Sequence, residues 1–392
     1  MQQEMNVGLL IASSRETDQQ GLIALARNAA KDVSAKMSAA SGIPWVFHLA
    51  GTKALETDEP RRPSHFLEDA SLAMADQAFD AVVVVTDVGL TSRRRHLEPG
   101  LASPVTRVAV VSTRKLLSTP RGEPVRSLDS PVVEWNAAVL IQHLLGHISG
   151  LRHSAHGIMT PFSFSEARQD GASFSPAECK SLQKRSNQLP ERQIVNGNVL
   201  ENFLFHILMA ARHPKSVALP LARNRAPLLA LSLPSLATAA VAPSLLLVFS
   251  AEIWDAGLGM SNTTAAAYAA ASILAASLYL VQVQSLFFPR KEKRVLTEHI
   301  AVANVVIFLS ILLLLFGLFF LVGSLVLIMG LYVFPEDLMS TWPTLNQGSV
   351  ELTDLLRLAA FIATVGVTTG ALAGGLESRT VIQHLALFED EP

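Results

Sequence analysis

The sequence predicts an α/β domain followed by an all-α domain of four transmembrane helices. Charge is the first reason: of 31 Lys and Arg in 392 residues, only six lie beyond Ala226. Apolar length is the second, because residues 227–376 contain four stretches that each exceed the ~18 residues a bilayer crossing needs. Periodicity is the third: up to about residue 195, short apolar runs alternate with spacings of three and four, as in a domain of strands and helices. The whole-chain figures, 50% hydrophobic, 16% charged and net charge −2, average over these unlike halves. The boundaries read as 1–195 for the first domain, 196–226 for an amphipathic helix and basic juxtamembrane linker, 227–376 for the membrane domain and 377–392 for a tail.

Residues 7–13 are a short apolar run and read as a strand; 19–40 follow with Leu22, Leu25, Ala26, Ala29 and Val33 on one helical face. A second strand is expected at 45–50 and a second helix at 64–78, where Phe66, Leu67, Ala70, Leu72 and Met74 recur. Residues 81–86 and 107–112 add two strands, the first Val-rich enough to lie centrally in a sheet. Between them, 91–104 is basic and reads as a loop or edge segment, with Arg93, Arg94 and Arg95 in a solvated turn.

The next helix carries the chemistry. Ser130 suits its N-cap, Pro131 its first position, Glu134 the positive end of its dipole and Gly150 its stop. The run from His143 to His153 reads H-x-x-x-H-x-x-G-x-x-H. Four residues apart on a helix, His143 and His147 share a face, and the turn at Gly150 lets His153 return as a third ligand. Three neutral imidazoles leave a fourth position open, the arrangement of a reactive zinc more than a structural one. His48, His96 and His156 read as solvated or hydrogen-bonded histidines.

Beyond it, 163–193 is polar; Ser175-Pro176-Ala177-Glu178 is a capping box for a helix ending near Asn187 and Pro190. Cys179 is the single cysteine, which rules out an intrachain disulfide and a multi-cysteine metal site; without a histidine beside it in sequence, it is no nucleophile. Residues 198–212 carry Leu200, Phe203, Leu204, Ile207, Leu208 and Ala211 on one side and fit either the membrane surface or the underside of the domain.

The four spans are 227–250, 263–288, 301–334 and 355–376. The third is long for one crossing and short for a hairpin, and reads as one tilted or extended helix, with a five-span count as the alternative. Arg212, Lys215, Arg223 and Arg225 precede the first span, and Arg290, Lys291, Lys293 and Arg294 lie between the second and third. The loops 251–262 and 335–354 hold acidic residues and no Lys or Arg, so both termini are expected in the cytoplasm, in a bacterial-type inner membrane. No charged region followed by an apolar core and cleavage site opens the sequence, so no signal peptide is expected. Within the spans Asn304, Gln282, Gln284, Thr368 and Thr369 are the main polar groups, too few for an ion path, while Gly366-x-x-x-Gly370 suits close helix packing.

Residues 81–162 resemble a metzincin-type zinc peptidase, most of all the archaemetzincins. The resemblance rests on Val84 to Leu90, on Arg107 to Leu116 and above all on the histidine motif. It implies a zincin-like fold, a mixed sheet with a backing helix and an active-site helix, with zinc held by His143, His147 and His153 and with Met159 as the Met-turn methionine beneath the metal. It also marks departures. Leu144 stands where the family's catalytic glutamate would be, His153 and Met159 are closely spaced, and the cysteines of a second metal site are absent. General acid–base help of the missing kind is worth about 10²–10⁴-fold, so no catalytic residue is assigned; Asp87, Glu98, Glu134 and His156 are the candidate replacement bases. The expectation is a membrane-anchored, zinc-binding, catalytically degenerate relative that binds a peptide or protein partner, with lipid and not nucleic acid as its other partner. An active zinc metallopeptidase with a substituted base, and a metal-independent structural or transport protein, are the alternatives.

Overall fold

The computed structural model describes residues 4–14, 16–93, 96–118, 126–166, 173–186, 193–195, 197–288, 295–334, 350–373 and 378–388. Within them the chain groups into two units, one comprising Met1–Ser216, Phe288–Ala303 and Gln383–Pro392, the other Val217–Phe287 and Asn304–Ile382.

The first unit is built on a five-stranded sheet. Strands β1 (Met5–Ser13), β2 (Trp45–Ala54), β3 (Ala81–Thr86) and β7 (Val108–Ser112) run parallel, and β6 (Gly100–Ser103) is antiparallel to β7, in the order β2-β1-β3-β7-β6. Register follows the apolar runs, with Val7 opposite Ala81 and Val82 opposite Val108. Side chains of a strand alternate between faces. Val7, Leu9, Ile11, Val83, Val85, Ala109 and Val111 therefore share one core with helix α1 (Glu16–Ser41) and helix α4 (Pro131–Ile148). All six residues of β3 are buried, as its valines require of a central strand.

The mixed sheet, the long helix α1 and the motif-bearing helix α4 are the architecture the resemblance implied. The expected helix over 64–78 divides into a 3-10 turn (Pro63–Phe66) and α2 (Leu67–Gln77). The basic segment 91–104 is more ordered than a loop: β4 (Leu90–Thr91) and β5 (Leu97–Glu98) form a short hairpin before β6. After β7 comes α3 (Thr113–Leu117), capped by Ser112, whose hydroxyl accepts from Arg114 N. The predicted capping box is present, with Ser175 and Glu178 bonded reciprocally at the start of α5 (Pro176–Ser186); Asn187 and Pro190 lie outside the described residues. Strand β8 (Gln193–Val195) pairs with β9 (Val295–Thr297), an antiparallel ladder between distant segments that local sequence gives no hint of.

Arg93 is not in a solvated turn. It is half-buried, and its guanidinium donates to Leu385 O and Phe388 O at the carboxyl end of the last helix, residues Arg379–Leu387. A cation there satisfies orphan carbonyls and complements the helix dipole; Arg94 and Arg95 lie outside the described residues. His384 of this helix is buried, and its two ring nitrogens have no hydrogen-bond partner. Burial foremost, then the charges of Arg93 and Arg62, push its pKa down to about 3. The fold thus holds His384 neutral, whereas the unfolded chain protonates it below about pH 6.5. The stability it allows is complete above that pH and falls by about 1.4 kcal/mol per pH unit between there and pH 3. The protection of the Leu385–Phe388 amides, corrected for the slower intrinsic exchange at low pH, should therefore fall on acidification from pH 7 to pH 5, and His384→Phe should remove that acid sensitivity.

The second unit is helical. Three helices are long and apolar enough to cross a membrane: α10 (Asn262–Val283), α11 (Glu298–Tyr332), which begins in the first unit, and the helix Leu352–Ala373, here α12, which makes the Arg379–Leu387 helix α13. The bent pair Pro214–Ser232 and Pro234–Leu247 makes a fourth candidate if taken as one span. The stretch 301–334 is no hairpin: it lies almost wholly in α11, a single helix of 35 residues, about 52 Å at 1.5 Å per residue.

The expected first span departs from a straight helix. A 3-10 segment (Ala226–Ser232) meets α8 (Pro234–Leu247) at a bend of 59° that takes in α7 (Pro214–Arg223). Leu233, at φ −121 and ψ 79, is the residue before Pro234, and proline crowds its predecessor out of the helical region. Nor is 251–262 a loop, for α9 (Ala251–Gly259) occupies most of it, with Trp254 buried and donating to Val248 O at 2.7 Å. Arg290, Lys291, Lys293 and Arg294, and residues 335–349 of the acidic loop, lie outside the described residues. The Gly366-x-x-x-Gly370 step packs closely against α8: a Cβ on Gly366 would stand 2.3 Å from Ser244 Oγ, and one on Gly370 2.9 Å from Ala240 Cβ.

Candidate metal centre

Helix α4 is apolar nearly all round and correspondingly buried, from Val133 through Gly146 with few breaks. Ser130 takes the N-cap position but its hydroxyl makes no capping bond, so proline at the first helical position does the work of starting the helix. Gly150 ends it at φ 78, where Gly150 N donates to His147 O at 2.7 Å and Leu151 N to Gly146 O at 2.9 Å. That pair of bonds is a Schellman motif, and glycine adopts its left-handed residue without strain. The turn reverses the chain and brings His153 back beside the helix.

The three imidazoles converge. His147 Nε2 stands 2.9 Å from His143 Nε2 and 3.2 Å from His153 Nε2, and the third edge is 3.3 Å. His143 is buried, and the other two are half-buried. Two of the rings are oriented by backbone: His143 Nδ1 lies 2.7 Å from Ile158 O and His147 Nδ1 3.1 Å from Leu151 O. A carbonyl only accepts, so in both rings Nδ1 is the donor, and in the neutral form of each ring Nε2 is left with a lone pair. Two lone pairs at 2.9 Å repel, and a shared cation removes the conflict. Tetrahedral zinc with bonds of about 2.0–2.1 Å sets its nitrogens about 3.3–3.4 Å apart, close to the observed edges. The carbonyls of Leu151 and Ile158 then hold the tautomer and ring direction, as second partners of metal-bound histidines do. His143, His147 and His153 can therefore hold a metal ion such as zinc.

Leu144 is fully buried in the main core and packs toward β6, where a Cβ on Gly100 would stand 2.8 Å from Leu144 Cδ1. The bare Gly100 is what lets α4 approach the strand so closely. Met159 is also fully buried, and its Sδ lies 2.5 Å from where a Cβ on Gly146 would be. It thus packs against α4 in the turn between the two helical histidines. Its carbonyl accepts from Ser154 N at 3.0 Å, which closes the loop after His153.

The candidate bases fare differently. Glu134 sits at the far end of α4, nine residues before His143, about 14 Å along the axis, and contacts Asn28. Asp87 binds Ser14 N at 2.9 Å and the Ser14 hydroxyl at 2.7 Å, tying together the ends of β1 and β3. Glu98 pairs with Leu90 in the β4–β5 hairpin, and His156 is exposed. His48 and His96 are exposed and His48 lies 3.3 Å from Asn6 Oδ1; Cys179 is half-buried with Sγ 3.8 Å from Phe174 O. Among the described residues no acidic or cysteine side chain joins the three histidines.

Sequence reasoning missed Asn136 and Gly146. Fully buried on α4, Asn136 donates to Val132 O and Ser165 O at 2.8 Å and accepts from Ser165 N at 3.0 Å, pinning the chain beyond Met159 to the metal helix. An amide amid apolar residues was the available signal, since a buried polar group requires partners. Asn136→Ala removes three hydrogen bonds, two of which join α4 to the chain at Ser165, and should cost about 1–3 kcal/mol, read as a lower thermal midpoint.

No protein family matches the sequence, and no curated protein does. Among solved structures, the chain is similar to archaemetzincin from Methanopyrus kandleri, with 18% identity and a TM-score of 0.35 over 47% of this chain and 97% of that one. It is also similar to a zinc-dependent peptidase from Methanocorpusculum labreanum, with 19% identity and a TM-score of 0.33 over 45% of this chain and 99% of that one.

Proposed function

We propose that this protein is a membrane-anchored, zinc-binding metzincin-like protein whose site has lost peptidase catalysis and acts by binding a peptide or protein partner. One observation carries the reading: the Nε2 atoms of three histidines lie within 3.3 Å of one another while the position after the first histidine is a leucine sealed into the core. Zinc there would supply a Lewis acid with a fourth position open to an oxygen or nitrogen ligand. His143, His147 and His153 would hold it, Ile158 O and Leu151 O would orient two of them, and Met159 would pack beneath. Leu144 can neither take nor return a proton, and two of the four candidate replacements are engaged elsewhere.

Anchoring rests on the apolar helices. Three helices are long and apolar enough to cross a bilayer, and the bent pair taken as one span gives four, with that pair as the first. Arg212 just before the bent pair, Lys215, Arg223 and Arg225 in its first half, and the basic residues between the second and third spans favour a cytoplasmic metal domain and cytoplasmic termini in an inner membrane.

The test is turnover of a fluorogenic peptide mixture by the zinc-loaded, full-length protein. Turnover no greater than in the chelated control is expected. Zinc-dependent cleavage would overturn the degenerate reading, and its loss in His156→Ala would identify the substituted base.

A further inference from the structure

Helix α6 (Val199–Arg212) belongs to the same unit as the sheet and is apolar on two opposite sides. One side packs inward through Phe205 and Met209. The other presents Leu200, Phe203, Leu204, Ile207 and Leu208, each more than half exposed. Their spacing of three and four confines them to one stripe, and no charged residue interrupts it. Soluble surfaces carry single exposed leucines but rarely a stripe of five. The helix is well made: Asn198 and Glu201 form a reciprocal capping box, so its exposure is not that of a frayed end.

We infer that α6 lies in the membrane interface, with this stripe immersed in the acyl boundary of an anionic leaflet. Two further observations select lipid as the occupant. The chain leaves α6 at Arg212 and one residue later, at Pro214, enters the bent helix pair that is long and apolar enough to cross a bilayer, so a short tether holds α6 at the surface. Exposed Arg212 and Lys215 stand at that exit, where acidic headgroups would meet them. An interfacial helix buries its apolar face about 5–10 Å into the headgroup and acyl boundary, and α6 would fix the metal domain against the leaflet instead of leaving it on a loose linker. The inference rests on the membrane reading above.

The experiment uses the full-length Cys179→Ser protein in vesicles of phosphatidylcholine and phosphatidylglycerol, with single nitroxide labels introduced by Phe203→Cys, Leu204→Cys, Ile207→Cys or Glu201→Cys. A control label at Leu278→Cys sits on an exposed position of α10. Labels at 203, 204 and 207 should collide with oxygen and be shielded from a water-soluble nickel chelate, while the label at 201 should behave oppositely. If the three are open to nickel while the control lies in lipid, this inference falls and the membrane reading stands. If the control is also open to nickel, both fall. Dipolar broadening between copies at 203, 204 and 207 would assign the stripe to a second copy of the chain and likewise overturn the lipid assignment.

Discussion

Replacing His143 by alanine will weaken zinc binding more than 100-fold. Removing only the partner that orients a metal-bound histidine typically costs 10–100-fold, and this substitution removes the ligand with its orienting bond. His143 is the most buried of the three, at 1% exposure, and its Nδ1 is the donor that pairs Ile158 O, itself in a residue 3% exposed. The variant thus leaves a buried carbonyl without its partner and a void in α4, so the metal-free protein loses stability too. In wild type, zinc at a thousandfold excess over Kd should stabilise the fold by about 4 kcal/mol, an increment absent from His143→Ala. Competition against a chromophoric chelator and thermal unfolding with and without zinc measure both effects. Exposed His96→Ala is the control and should leave both unchanged.

Gly317→Ala will be the most damaging single-methyl addition among the described glycines of the second, helical unit. A Cβ on Gly317 of α11 would stand 1.8 Å from Pro227 O, 2.7 Å from Pro227 C and 3.0 Å from Pro227 Cα. All three are backbone atoms, so no rotamer change relieves the overlap, and α11 must move away from the 3-10 segment Ala226–Ser232. Overpacking costs about 1–3 kcal/mol where side chains can adjust; here the upper end or more is expected. Gly259 of α9 is the matched control, because nothing lies within 4 Å of its added Cβ, and alanine there should stabilise by about 0.5–1 kcal/mol. Detergent-denaturation midpoints of the two variants should move in opposite directions.

What could be read from the sequence was local. Pro131 and Gly150 bound the metal helix in the sequence as in the fold, because one lacks the N–H a first turn does not need and the other accepts the left-handed turn. Valines at 82–85 announced a central strand in the same way. Features set by distant partners were not legible. Strand β6 meets the edge-segment reading of 91–104, but its antiparallel pairing with β7 and the packing of α4 on Gly100 were not in the local sequence. Arg93 reads as one of three solvated arginines until the last helix arrives almost three hundred residues later to be capped. The spacing foretold that His143, His147 and His153 could meet. The Ile158 and Leu151 carbonyls that orient two of the rings carry no residue-type signal, and Asp87 could not be seen from sequence to be occupied by Ser14.

Zinc-edge X-ray absorption on the full-length protein, purified without chelators and loaded with one equivalent of zinc, measures the metal's neighbours directly. The account predicts three imidazole nitrogens at about 2.0–2.1 Å with one further light ligand, reduced to two imidazoles in His147→Ala. A spectrum showing one imidazole or none, or one unchanged by His147→Ala, would contradict it.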